Sequence, residues 1–171
     1  MPKTNFTYND VHTQCLSIVR KMQLDSWKPN YVVGLINGGM LPALLISEWY
    51  NVPCYTLNVQ PNTDSTESNL WMAEDAFGLD YNNNWMQCPQ KNILIVNSVN
   101  NAATFNWIKE DWQAGCMPMS NEWADIWHRS TKFAVLVDNI KSDFIVDYNA
   151  IELNDVEFKL PWNNWWTNTV S

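Results

Sequence analysis

Residues 93–105 read ILIVNSVNNAATF, and this stretch decides the fold of the chain. Four apolar residues, most of them β-branched, lead into a short loop of small polar and alanine residues. A helical pattern from Thr104 to Gln113 follows at once. This order predicts a buried parallel strand that delivers a loop to the N-terminus of a helix.

Such a loop suits a phosphate group. Backbone N–H groups and the positive end of the helix dipole face one point, and the small side chains let a ligand approach the backbone. The loop contains no carboxylate and no glycine. It therefore predicts the scaffold of a phosphate-sugar site without its most reactive groups. The alternative is an ordinary strand-to-helix turn that belongs to the fold.

The segments on either side alternate between strand and helix patterns. Apolar runs predict further strands at Tyr31–Ile36, Cys54–Val59 and Lys132–Val137, and helical spacing predicts helices at Val11–Met22 and Met40–Trp49. This alternation predicts an α/β fold, a Rossmann-like and mainly parallel sheet flanked by helices. We expect a single domain over residues 1–171.

Two regions depart from the alternation. Residues 60–90 are polar and weakly patterned, which favours a lid-like loop, with a solvated connection as the alternative. Residues 138–166 predict a small hood, in which short alternating segments from Phe144 to Trp166 favour an antiparallel piece.

Composition excludes several classes of protein. The net charge is −8, from 10 basic and 18 acidic residues, which argues against binding of nucleic acid or anionic membranes. No apolar run approaches the length of a membrane span, about 20 residues. The first residues lack the apolar region of a signal peptide, and the four cysteines show no CxxC spacing. We therefore expect a cytoplasmic protein with reduced thiols.

The sequence does not predict a metal site or a hydrolase. His12 and His128 are isolated, and neither has a partner at metal-ligand spacing. No convincing Ser/His/Asp or Cys/His arrangement is present.

Three motifs in order resemble those of type I phosphoribosyltransferases, most closely the xanthine-guanine (purine salvage) branch and related phage-type proteins. The strand Ile93–Val96 with Asn100, Ala103, Thr104 and Phe105 resembles the family's phosphoribosyl loop. Residues 32–43, VVGLINGGMLPA, resemble the strand and glycine loop that contact pyrophosphate. Residues 160–163, LPWN, resemble the Pro-Trp-acid segment that ends the family's hood. The resemblance spans about residues 31–162.

The resemblance implies transfer of a phosphoribosyl group from phosphoribosyl pyrophosphate to a purine-type base, with Mg²⁺ as the cofactor, in a homodimer. It assigns phosphoribosyl binding to Asn97, Ser98, Asn100, Asn101, Ala102, Ala103 and Thr104, and pyrophosphate binding to Asn37, Gly38 and Gly39. It assigns the base pocket to Phe158 and Trp162, and the position of the catalytic acid to Asn101.

The departures from the family fall on its charged positions. Asn97 and Ser98 stand in place of two acids, and neutral groups lack the negative charge that Mg²⁺ favours. Asn101 replaces an acid, and an amide is no general base. Asn37 replaces an arginine, whose charge-assisted contact is worth about 1.5–3 kcal/mol.

Three hypotheses follow. The first is a phosphoribosyltransferase with weak or lost activity. The second is a non-catalytic protein that binds a nucleotide or phosphoribosyl pyrophosphate as a regulatory or partner-binding protein. The third, a protein that binds a partner through its aromatic end, would be favoured by a contiguous exposed patch of Trp162, Trp165 and Trp166.

Overall fold

A computed structural model of the protein describes residues 4–59, 69–117, 125–154 and 157–167. Its centre is a sheet of five strands: β2 (Tyr31–Leu35), β3 (Cys54–Leu57), β6 (Ile93–Val99), β7 (Thr131–Asn139) and β8 (Tyr148–Leu153). They lie in the order β3-β2-β6-β7-β8, and every neighbouring pair is parallel. The α/β class and the mainly parallel sheet are confirmed.

Within the described residues, four helices cover the two faces of this sheet. They are α1 (Tyr8–Leu24), α2 (Met40–Tyr50), α3 (Leu70–Phe77) and α4 (Ala102–Cys116). Along β6, Leu94 and Val96 pack with α1 and α2 in one buried cluster, and Ile93 and Ile95 pack with α3 and α4 in the other. Both faces of a parallel strand are therefore buried, which explains its continuous apolar run.

Helix α1 begins where the sequence pattern indicates. The Thr7 hydroxyl accepts a hydrogen bond from the backbone N–H of Asp10 at 3.1 Å, and the Asp10 carboxylate accepts one from the N–H of Thr7 at 2.8 Å. This capping box satisfies two N–H groups that a helix start leaves unpaired. Among the described residues, no helix has the length and apolar character needed to cross a bilayer.

Residues 69–90 correct our expectation of a lid-like loop. Met72 and Phe77 of α3 are fully buried against α4. A short antiparallel pair, β4 (Leu79–Asp80) and β5 (Met86–Gln87), follows with a 3₁₀ turn at Tyr81–Asn83 between its strands. The helix carries few charges over only two turns, so its periodicity is hard to recognise. Residues 60–68 of the expected lid lie outside the described residues.

The hood region also corrects a prediction. Instead of an antiparallel piece, β8 joins the main sheet parallel to β7, and β9 (Phe158–Lys159) pairs in parallel with β1 (Thr4–Asn5). Residues 140–147 and 157–167 remain outside the main sheet, and the latter include a 3₁₀ turn at Trp165–Thr167. The alternating polarity of β8 belongs to a sheet-edge strand rather than to a hairpin.

The strand order locates the position at which such folds bind ligands. The chain leaves β2 toward β3 on one side and leaves β6 toward β7 and β8 on the other. Open parallel sheets bind ligands outside the carboxyl ends of the strands, where the direction of winding reverses. Here that point lies between the ends of β2 and β6, where the predicted site residues begin.

Candidate functional site at the carboxyl edge of the sheet

The loop between β6 and α4 presents the start of a helix to this edge. Asn101 is the N-cap of α4, and its side-chain oxygen accepts a hydrogen bond from the N–H of Thr104 at 3.3 Å. Among the described residues, the backbone N–H groups of Ala102 and Ala103 have no acceptor. These two donors and the helix dipole suit an anion. The side chain of Asn101 is thus occupied by capping.

Asn97 and Ser98 lie within β6, which is longer than the predicted strand. The Asn97 side-chain oxygen accepts a hydrogen bond from the N–H of Ser98 at 2.9 Å. Ser98 is only 7% exposed. The two neutral residues in place of the family's acid pair are therefore part of the packed end of the strand.

The loop between β2 and α2 packs directly onto the end of β6. A methyl group on Gly38 would overlap the Ser98 hydroxyl, and one on Gly39 would collide with the carbonyl of Val96. Neither glycine has a positive φ, so close packing rather than a left-handed turn requires them. The peptide bond between Ile36 and Asn37 is cis, and Asn37 is exposed beside the cleft.

Asn100 connects three segments of this edge. Its amide nitrogen donates to the Asp138 carboxylate at 2.8 Å and to the carbonyl of Phe144 at 2.7 Å, and its oxygen accepts from the Ser142 hydroxyl at 3.2 Å. The residue is 4% exposed. Asn100 thus connects residues 138–144 to the loop between β6 and α4, a role that the resemblance does not indicate.

Behind this connection lies a lysine surrounded by aromatic rings. The Lys109 ammonium of α4 is 4.8 Å from the ring centroid of Phe144, and it also faces the rings of Trp127 and Phe133. Burial lowers the pKa of Lys109. The contacts of the ammonium with the negative faces of the rings offset part of its lost hydration. They also help to fix Phe144, whose carbonyl accepts a hydrogen bond from Asn100.

Of the two predicted base-pocket residues, Phe158 lines the cleft and packs against Phe6 at a centroid distance of 5.6 Å. Within the described ranges, Trp162 does not line the cleft and instead packs half-buried against the α1/α2 cluster. Trp165 and Trp166 are 65% and 69% exposed. Because Trp162 is half-buried, the contiguous exposed patch of three tryptophans that would favour the third hypothesis is not complete.

Together these segments enclose a cleft of about 760 Å³. It is lined by Gly38, Ser98, Val99, Asn100, Asn101, Ala102, Ala103, Asn139, Lys141, Ser142, Asp143, Phe158, Leu160 and Asn163. Amide and hydroxyl side chains are its most frequent polar groups, and within the described residues Lys141 and Asp143 are its only charged lining groups. The cleft is locally neutral although the chain carries a net charge of −8.

The donor set does not fit Mg²⁺. This ion prefers carboxylates and water in octahedral geometry, whereas Asp143 is the only carboxylate in the described lining. Among the residues that the structure describes, no group of three His, Cys, Asp or Glu side chains is arranged so that it could hold a metal ion. The Asn97 oxygen already accepts an internal hydrogen bond. We therefore assign no step to a metal at this site.

Sequence reasoning missed Lys141, Ser142, Asp143 and Asn163. The loop after each parallel strand returns at the same edge, so the end of β7 was the signal for Lys141 to Asp143. The predicted end of that strand, Val137, was two residues too early.

Strand order, cleft position and glycine loop together define the fold of a type I phosphoribosyltransferase. The chain is similar to a purine phosphoribosyltransferase from Pyrococcus horikoshii, with a TM-score of 0.65, 18% identity and coverage of 100% of this chain and 99% of that one. A Helicobacter pylori xanthine-guanine-hypoxanthine phosphoribosyltransferase gives a TM-score of 0.63 at 12% identity, covering 95% of both chains.

A third similar structure is a hypothetical protein from Neisseria gonorrhoeae with bound ppGpp, with a TM-score of 0.60, 17% identity and coverage of 95% and 91%. No protein-family model and no curated protein matches the chain. At these identities the structural likeness establishes the fold.

Proposed function

We propose that the chain is a nucleotide-binding protein built on the phosphoribosyltransferase fold, with little or no transferase activity. The observation that carries the proposal is the cleft itself, in which unpaired N–H groups at the start of α4 face the same space as the ring of Phe158. A phosphate would accept hydrogen bonds from Ala102 and Ala103. A base would contact Phe158.

The neutral lining supports binding over transfer. Transfer from phosphoribosyl pyrophosphate needs positioned charge on the pyrophosphate and on the developing oxocarbenium ion. Asn37 and Asn101 offer no such charge, and the Asn101 side chain caps α4. The ppGpp-bound structure from Neisseria gonorrhoeae supports a nucleotide as the ligand on this fold. We place the protein in cytoplasmic nucleotide metabolism, as a homodimer that binds small molecules.

Calorimetric titration of GMP, ppGpp and phosphoribosyl pyrophosphate, each with and without Mg²⁺, tests this proposal. We expect binding of at least one of these ligands with little dependence on Mg²⁺. Ala103→Asp should abolish this binding, because its carboxylate occupies the position of the ligand's anion. The helix itself should be retained, because a negative charge in the first turn interacts favourably with the helix dipole. Asn106→Asp, at an exposed position of the second turn, adds the same charge as a matched control. Equal affinities of the two variants would exclude this site.

Transferase activity is the second candidate, and the purine phosphoribosyltransferases among the similar structures favour it. It requires base-dependent pyrophosphate release with Mg²⁺, measured over a panel of purines and pyrimidines. If the chain is non-catalytic, release stays at background. Restoring charge with Asn37→Arg, Asn97→Asp and Asn101→Asp should then introduce Mg²⁺-dependent binding of phosphoribosyl pyrophosphate. Unchanged binding in that variant would contradict our placement of the site.

A further inference from the structure

A second cavity of about 510 Å³ opens at the opposite, amino-terminal edge of the sheet. It lies between the end of α1, the linker to β2, the end of α2 and the turn before β3. Its lining consists of Met22, Gln23, Ser26, Trp27, Lys28, Pro29, Trp49, Tyr50 and Val52. The proposed function makes no use of this cavity, because all the residues assigned to the nucleotide lie at the other edge.

Three aromatic rings form its walls. Trp27 is buried, and its indole N–H donates a hydrogen bond to the carbonyl of Arg129 at 2.7 Å, which fixes the ring. Trp49 is 53% exposed, a high value for so large an apolar side chain. The Tyr50 hydroxyl is buried and has no hydrogen-bond partner within the described residues. Apolar walls with a few polar groups are typical of small-molecule sites.

Several of the last carbonyls of the two helices that end at this cavity are already hydrogen-bonded. The last carbonyls of α1 accept hydrogen bonds from Asp25, Ser26 and Trp27, and those of α2 accept from Asn51 and Val52. Such capping satisfies the carbonyls that would otherwise attract a cation.

The charged groups favour an anion. Lys28 is the only charged residue in the described lining, and no ion pair of its ammonium occurs among the described residues. The nearest acid in sequence, Asp25, is already engaged, since it accepts a hydrogen bond from the Tyr148 hydroxyl at 2.8 Å and lies 3.6 Å from the Lys132 ammonium.

We propose that this second cavity binds a small planar aromatic carboxylate, with its ring between Trp27, Trp49 and Tyr50 and its carboxylate at Lys28. The ring matches the aromatic walls, and the single negative charge matches the unpaired ammonium. The cavity is thus a binding site separate from the nucleotide cleft.

The test uses three probes that share one ring: indole-3-acetate, indole-3-acetamide and tryptamine. Titrations of the ¹⁵N-labelled protein follow the side-chain N–H signals of Trp27 and Trp49, which Trp49→Ala helps to assign. We expect indole-3-acetate to bind best, about threefold more tightly than the amide, because a rim ion pair contributes modestly. Tryptamine should bind most weakly.

Two variants with exposed side chains localise the site. Trp49→Ala should weaken indole-3-acetate about tenfold, the effect of a lost aromatic wall. Lys28→Gln should remove the preference for the acid over the amide and leave amide affinity unchanged. Trp165→Ala removes an exposed tryptophan elsewhere and should change neither affinity.

Three outcomes would overturn the proposal: no shift of the Trp27 and Trp49 signals at millimolar probe, preferred binding of tryptamine, or shifts confined to residues 98–104. The first two outcomes do not bear on the nucleotide cleft, whose calorimetric test uses different ligands and different variants, whereas the third would move the probe to that cleft.

Discussion

The two edges of the sheet differ in the chemistry that they present. The carboxyl edge carries an open cleft lined by amides and hydroxyls, with the start of α4 among its walls. The amino edge carries a smaller cavity walled by Trp27, Trp49 and Tyr50, beside the ends of α1 and α2. In a parallel α/β fold, helices begin at one edge and end at the other. Helix N–H groups are therefore presented at the carboxyl edge, whereas helix carbonyl groups are presented at the amino edge.

The comparison also shows how polar groups are satisfied at each edge. At the carboxyl edge, side-chain amides satisfy the polar groups: those of Asn97, Asn100 and Asn101 each form hydrogen bonds with neighbouring protein groups. At the amino edge, backbone N–H groups close the helix ends. The carboxyl edge is thus more sensitive to substitution of its polar side chains.

The largest effect that we predict is at Ser98. Ser98→Asp should lower the free energy of unfolding by about 3 kcal/mol, because it buries a carboxylate against Gly38 without a cation. Asn97→Asp should cost less than about 1 kcal/mol, since an aspartate still accepts the hydrogen bond from the Ser98 N–H. Urea unfolding of both variants measures the difference. Equal costs would mean that the end of β6 is less tightly packed than the structure shows.

Alkaline pH should act on the amino edge. Burial and hydrogen bonds to Asp75 and Asp25 raise the pKa values of Tyr31 and Tyr148 above their usual value of 10.0. The folded protein keeps these protons where the unfolded chain loses them, so their stabilisation is complete below pH 10.0 and declines above it. Each tyrosine should cost about 1.4 kcal/mol per pH unit in that range.

Urea unfolding at about pH 9 and about pH 11 measures this loss. Tyr148→Phe should be less stable at neutral pH, because it lacks the hydrogen bond to Asp25, but it should lose less between the two pH values. Tyr8→Phe, at an exposed position, should retain the full alkaline loss. If the unsubstituted protein, Tyr148→Phe and Tyr8→Phe all lost the same free energy of unfolding between the two pH values, Tyr148 would not be a source of the alkaline sensitivity.

Most of the strands and helices, and part of the cleft, could be predicted from the sequence. The run from Ile93 to Val96 marks a strand that is buried on both faces. This apolar pattern depends on the fold alone and not on the ligand that the site binds. The position of the loop between β6 and α4 followed from the same run. Helix α3 was missed because its two turns lack a clear polar face. The parallel pairing of β8 was missed because its burial depends on a distant partner, β7.

The roles of single side chains were less predictable. The packing of Gly38 and Gly39 onto β6 and the bonds of Asn100 to residues 138–144 join segments that are far apart in sequence. The spacing of residues within a sequence motif does not predict contacts between segments that are far apart in the chain. The aromatic cavity collects residues from four segments that no motif connects.

The smallest effect that we predict concerns the two helix ends at the amino edge. Ser26 and Asn51 both adopt left-handed backbone conformations, with φ of 55° and 54°. Asparagine tolerates this region better than serine, and glycine pays no steric cost there. Ser26→Gly should therefore raise the free energy of unfolding by about 0.5 kcal/mol, which is the relief of strain less the entropy that glycine adds to the unfolded chain. Asn51→Gly should raise it by less, because asparagine is less strained in this conformation than serine. Urea midpoints at unchanged slope measure both values. A larger gain at Asn51 would contradict this account of the strain, whereas weaker indole-3-acetate binding by Ser26→Gly would assign the serine hydroxyl to the carboxylate.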